Sequence, residues 1–181
     1  MSNPSLSSRL KPSQPRRLQF MMRDGVTIEG QVQIGEDQSL SSYLNSRRGG
    51  WMNLARAMRA KGDEYPGHMI LQGDHIVFVS VPDGNVQVAN AQIAGIVERA
   101  VEIVLLGGRM IQGYMPAAPQ QRLSDVVSSA GRFVAVTKAR LLPDERPLGD
   151  IVLHTGAIEF VRDSRMEAAL SADATAADSD A

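Results

Sequence analysis

The chain has 181 residues, 43% hydrophobic, 22% charged and only 4% aromatic, with no cysteine and a formal net charge of -1. That length allows one domain or two small ones, and the missing cysteines exclude a disulfide scaffold, thiol catalysis and a cysteine-rich zinc site. No apolar run approaches the ~20 residues of a membrane-spanning helix and the start lacks a signal peptide's apolar stretch, so a soluble, cytoplasmic protein with no membrane partner is expected.

Residues 1–17 are rich in Ser and Pro and carry Arg9, Lys11, Arg16 and Arg17 without an acid. Such a segment buries too little apolar surface to offset its ordering entropy, so a disordered basic N-terminus is expected over 1–16. Leu18–Met22 then reads as a strand and Asp24-Gly25 as a turn. Val26–Ile34 reads as a half-buried strand, because Val26, Ile28, Val32 and Ile34 alternate around Gly30. A mid-strand glycine has nothing to pack and marks a bulge or sharp bend. In 39–50, Leu40, Tyr43 and Leu44 recur at helical spacing ahead of Gly49, which predicts one or two helical turns. Strands follow at Trp51–Met58, Met69–Leu71 and Ile76–Val81, the last two joined by a tight turn at Gln72-Gly73-Asp74. Pro82-Asp83-Gly84-Asn85 opens a linker over 82–98. For Asn90–Ala100 the periodicity does not decide between a short strand and a helix.

The pattern then begins again. Val101–Leu106, Gly107-Gly108 and Arg109–Met115 repeat the first hairpin, and Leu123, Val126 and Val127 ahead of Gly131 repeat the helical turns. Phe133–Leu142, Ile151–Leu153 and Ala157–Val161 repeat the last three strands. Ile28 aligns with Ile111, Gly30 with Gly113, and Leu40-Ser41 with Leu123-Ser124. One residue is then lost from the second copy, after which Trp51 aligns with Phe133, Leu54 with Val136, Leu71 with Leu153, Phe78 with Phe160 and Val79 with Val161. Apolar positions match while most polar ones do not, the mark of two copies of one fold with diverged surfaces. The tail holds Asp163, Glu167, Asp173, Asp178 and Asp180 against Arg165, so the near-zero charge cancels a basic head against an acidic tail. The expected architecture is mainly β: repeat 1 over 17–81, a linker over 82–98, repeat 2 over 99–162 and a disordered acidic tail over 163–181. Each copy is a small five-stranded barrel with a short helical insertion. A lone barrel of this size is marginal, so the two are expected to pack with pseudo-two-fold symmetry.

A bent five-stranded meander with a glycine in its second strand resembles an Sm-like, or more broadly SH3-like, barrel. The resemblance is carried by Gly25-Val26-Thr27-Ile28-Glu29-Gly30 and Gly108-Arg109-Met110-Ile111-Gln112-Gly113, by Met52-Asn53-Leu54, and by 70–79, ILQGDHIVFV. The insertions, with Arg122-Leu123-Ser124-Asp125 in one copy and Leu44-Asn45 in the other, are similar to an Arg-Leu-Ser-Asp-x-Leu-Asn signature of uncharacterised bacterial domains. The Sm-like resemblance implies RNA binding through an Asp and an Asn near strand three and an Arg-Gly in the last turn. Asn53 matches, but Ala135 stands at that place in the second copy; Gln72-Gly73 and His154-Thr155 stand where Arg-Gly belongs.

Chemical equipment is sparse. His68, His75 and His154 show no HxH or HxxxH spacing and no acid cluster, so they read as surface or turn residues and no metal or cofactor is expected. Asp74-His75 near Ser80 lacks a nucleophile-elbow pattern, and Gly49-Gly50 and Gly107-Gly108 lack the GxxxxGK[ST] run of a phosphate loop. No catalytic residue is assigned. Arg122 and Asp125 lie three apart on a helical turn, where opposite charges can pair for ~0.2–0.5 kcal/mol, or Asp125 can cap the turn. The expected function is a non-enzymatic interaction or regulatory module that binds a protein partner or itself through exposed barrel edges. The alternative is RNA or single-stranded nucleic acid held by Arg47, Arg48, Asn53, Gln72 and Gly73 with the basic arm.

Overall fold

Alternation of apolar and polar residues builds the strands over 27–35 and 110–117, whereas 133–136 and 151–154 are buried at every position. The computed structural model describes residues 13–59, 62, 65, 67–89 and 95–164. The first half runs β1 (Ser13–Met22), β2 (Thr27–Gly35), helix α1 (Leu40–Asn45), β3 (Trp51–Arg59), β4 (His68–Gln72), a 3-10 turn over Gly73–His75, and β5 (Ile76–Ser80). The second runs β6 (Val97–Leu105), β7 (Met110–Ala117), helix α2 (Leu123–Ser129), β8 (Phe133–Leu142), β9 (Arg146–His154), a 3-10 turn over Thr155–Ala157, and β10 (Ile158–Asp163). In β2, Ile28, Gly30, Val32 and Ile34 are buried in turn, and in β7, Ile111, Gly113, Met115 and Ala117 are.

Two boundaries differ from the sequence reading. The structure starts β1 at Ser13, so Arg16 and Arg17 belong to a strand paired with β2 rather than to a mobile arm. Composition missed this because hydrogen bonds along a hairpin order even an exposed strand end. Similarly, Val97 and Glu98, read as linker, begin β6 opposite Ala117 and Pro116 of β7. Residues 1–12 and 165–181, where the basic and acidic ends fall, lie outside the described residues.

Among the described residues all ten strands join one antiparallel sheet in the order β10-β6-β7-β8-β9-β5-β1-β2-β3-β4, which does not close. Its bends recur at aligned places. Glu29 faces Met58 while Gln31 faces Ala55, so three steps along β3 answer two along β2; Gln112 facing Arg140 and Tyr114 facing Thr137 repeat this in β7 and β8. Gly30 and Gly113 sit at these shifts, where a Cβ would lie 2.8 Å from Leu54 Cδ2 and 2.7 Å from Val136 Cγ1. Arg56 and Lys138, the extra residues of the bulges, take positive φ of 50° and 51°.

Two apolar clusters result. One gathers Leu18, Phe20, Val32, Leu44, Leu54 and Ile76; the other gathers Val101, Ile103, Ile111, Met115, Val136 and Ile151. Neither is confined to its own half. Phe133, Ala135 and Val152 reach into the first cluster, and Phe78 into the second.

Candidate functional site

The halves meet where β5 pairs antiparallel with β9. Phe78 faces Leu153, Val79 faces Val152 and Ser80 faces Ile151. Residues directly opposite share a face of the sheet. Alternation therefore sends Phe78 and Leu153 into the second cluster and Val79 and Val152 into the first. Both strands serve two cores, so the seam is part of the interior.

Polar pins flank it. Asn45, closing α1, donates from Nδ2 to the carbonyls of Ala130 and Phe133, both at 2.8 Å, and its Oδ1 accepts from the Phe133 N–H at 3.0 Å. The amide thus satisfies both backbone groups at the head of β8, as another strand would. Gly131 makes room: its φ is +79°, and a Cβ there would lie 3.0 Å from Asn45 Oδ1. On the far side, Arg23 donates to the carbonyl of Asp74 at 2.7 Å and to that of Gly156 at 2.9 Å, bridging the 3-10 turns over Gly73–His75 and Thr155–Ala157. The Arg132 guanidinium donates to the Asp74 carboxylate and fills the space over Gly50, where a Cβ would sit 2.3 Å from Nη1.

His154 completes this cluster and corrects the surface reading, because it is buried. Its Nδ1 accepts the Gly156 N–H at 3.0 Å, which places the proton of the neutral ring on Nε2. Nε2 lies 3.4 Å from Asp74 Oδ1, but off line, and makes no hydrogen bond. The ring stands edge-on to Phe133, with centroids 4.9 Å apart. Burial, then the nearby Arg132, holds the His154 pKa below its usual value, although Asp74 pulls the other way. Arg132 holds the Asp74 carboxyl below the ordinary range. A carboxylate, an imidazole and a guanidinium together suggest catalysis, yet the acid is tied to Arg132 and the imidazole to Gly156. Ser80, the hydroxyl that follows Asp74-His75 in sequence, donates instead to Gln19 Oε1 at 3.5 Å. The cluster is a clamp between turns.

The residues singled out from sequence do not gather into one site. Arg47 turns back over the Tyr43 ring, its Cζ 4.1 Å from the centroid, and the Arg48 side chain lies outside the described residues. Gly73 is buried in its turn. Asn53 and Gln72 do share the outer face of the β3–β4 hairpin, opposite Ile70 and Trp51 respectively. Arg122 and Asp125 form no ion pair: the Asp125 carboxylate accepts from the Ser124 hydroxyl at 3.4 Å, since an exposed pair of so small a worth yields to water. Among the described residues no three His, Asp or Glu side chains converge as metal ligands, and no helix is long and apolar enough to cross a membrane. Sequence reasoning missed Arg23, Arg132, the bonds of Asn45 to the other half and the burial of His154. One signal was present: the aligned partners of Asp74, Arg132 and Arg23 are Gly156, Gly50 and Leu106, so the clamp falls where the aligned halves differ together.

The remaining feature is the pair of open edges. Among the described residues, β4 pairs only with β3 and β10 only with β6. Both edges are flanked by large apolar side chains in water: Trp51 (55% exposed) and Ile70 (60%) at β4, Leu106 (56%) and Phe160 (47%) at β10. Beside β4 a groove is lined by Trp51, Ile70, Gln72 and His75 with Met22 and Arg23. No family model, curated protein or solved structure matches the chain.

Proposed function

We propose that this chain is a non-enzymatic protein-interaction module built from a duplicated small β-barrel, and that its open sheet edges take up strands of a protein partner. The exposure of Ile70 and Phe160, on strands that pair on one side only among the described residues, carries this reading. Edge strands are ordinarily blunted by lysines, prolines or bulges because a bare edge recruits other chains. An edge that keeps its apolar side chains suits strand addition, in which backbone hydrogen bonds supply affinity and alternate side chains supply specificity. The recurring element order and the aligned bulges at Arg56 and Lys138 support the duplication. A competing reading takes Trp51, with Asn53 and Gln72 on the same face, as a stacking platform for single-stranded nucleic acid.

Photo-crosslinking side chains placed at Ile70 and at Phe160 of the full chain, in the cells that make it, separate these readings. Protein adducts at both sites, and none from the exposed turn residue Asp83, are expected. Adducts to nucleic acid alone would hand the β4 face to the competing reading, and no adduct at either site would overturn both.

A further inference from the structure

We infer that the strand taken up at each edge comes from a second copy of this chain, joined head to tail with β10 of one copy on β4 of the next. This rests on the interaction reading above and names its partner. The template is the chain's own seam. There a strand closing one half, β5, pairs with the fourth strand of the other half, β9. By sequence alignment β10 is the counterpart of β5, and β4 is the counterpart of β9. Among the described residues one edge of each kind is therefore unused, and the two kinds fit each other at the seam.

Side chains tell the same story. Val152 and Phe78 are 0% and 6% exposed at the seam, and their counterparts at the open edges are Ile70 and Phe160. Phe133, 2% exposed, lies close to the 3-10 turn at Gly73, and its counterpart is the exposed Trp51. Three side chains buried at the internal junction thus have apolar counterparts left in water at the free ends. A copy docked as β5 docks on β9 would cover them.

The polar clamp does not obstruct this. Where the seam sets Asp74 and Arg23 against Arg132 and His154, a β10-to-β4 contact sets Gly156 and Leu106 against Gly50 and Gln72. Acid and guanidinium are lost from both sides together, so no charge of the clamp is left facing an absent partner. Ser128 likewise replaces Asn45, too short to bridge both backbone groups at the head of a strand. The external contact is the apolar part of the seam without its pins, hence weaker and reversible. Such a contact is heterologous: it closes into a ring if the rotation between successive units permits, and grows as a filament otherwise.

The register follows residue by residue. Phe160 should face Leu71 of the next copy, Val161 should face Ile70, and Arg162 should face Met69, by alignment with the three seam pairs. The purified full chain should scatter light as a concentration-dependent multiple of its 19.6 kDa. Ile70→Glu spoils only β4 and Phe160→Glu only β10, and both residues are exposed, so each variant should fold and be monomeric alone. Mixed in equal amounts they should recover a species of twice the monomer mass and no larger, because each keeps one good edge. The chain has no native cysteine, so oxidising a mixture of Ile70→Cys and Val161→Cys should give a heterodisulfide dimer, cross-strand partners lying within reach of a disulfide. A wild-type chain that stays monomeric at high micromolar concentration would overturn the inference. So would a Phe160→Glu variant that still dimerises alone, or Ile70→Cys linking to itself as readily as to Val161→Cys, since either means edge pairing with its own kind. Monomeric protein whose Ile70 and Phe160 adducts in cells contain other proteins would overturn self-association and leave the interaction reading standing.

Discussion

The seam between β5 and β9 and the pair of open edges occupy aligned positions in the two halves of the chain, and they differ in their polar side chains. At the seam, strand pairing is reinforced by Asn45 on the Phe133 backbone, by Arg23 across both turns and by Asp74 with Arg132. At the edges the apolar residues are present and every one of these pins is missing. The contrast teaches how a pinned strand contact differs from an edge that carries apolar residues alone. Apolar burial supplies the common attraction, whereas hydrogen bonds to backbone groups that would otherwise be buried unpaired fix one partner in one register.

The widest test of this contrast is the aligned pair Phe78 and Phe160. In an Ile70→Glu background, which removes any contribution from association, Phe78→Ala should cost ~3–5 kcal/mol of unfolding free energy in urea. Phe160→Ala should cost about 0.5 kcal/mol. Equal losses would mean that the two strands are equally buried within one chain. Asn45→Ala comes next, at roughly 1–3 kcal/mol, because it strips partners from the Phe133 N–H and carbonyl. Ser128→Ala, its aligned counterpart, should change almost nothing.

A smaller effect concerns pH. Burial and Arg132 depress the His154 pKa, so below the unfolded value of about 6.5 the unfolded chain binds a proton that the folded chain resists. Stability should therefore be unaffected by His154 at higher pH and should fall as pH drops through about 6.5 towards the depressed folded value. The groups facing the ring are Asp74, Arg132 and Arg23. Asp74, also depressed, acts in a lower window, losing its contribution as pH falls through the ordinary carboxylate range near 3.9. His154→Gln, which installs the residue found at the aligned position 72, should flatten the urea-midpoint profile in the upper window alone. The slightest effect should come from the Asp74–Arg132 pair itself. A double-mutant cycle with Asp74→Asn and Arg132→Met should give less coupling than Asn45 loses, and less still in added salt, because both groups meet solvent.

Much of the local structure was legible beforehand. Leu40, Tyr43 and Leu44 mark α1, and Phe133–Leu142 coincides with β8, because apolar spacing records directly which face of an element meets the core. The bends at Gly30 and Gly113 were legible for a similar reason: only a residue without a side chain fits against Leu54 or Val136 there. Ends were read less well. β9 begins at Arg146, five residues before Ile151, and β1 at Ser13, since hydrogen bonding to a neighbour extends a strand through residues with no apolar pattern. The clamp was the least legible, for Asp74, Arg132 and His154 are ordinary turn and strand residues until two turns are brought together.

By itself, then, the sequence determined the elements of each half, their order and the places where their strands bend, because these depend on side-chain spacing within a few residues. Only the tertiary structure decided that β5 lies beside β9, that Asn45 meets a backbone 88 residues further on, and that β4 and β10 are the edges left over. Side-chain periodicity says which face of a strand is apolar. It is silent on which neighbour takes the hydrogen bonds in the plane of the sheet, because every backbone offers the same donors and acceptors.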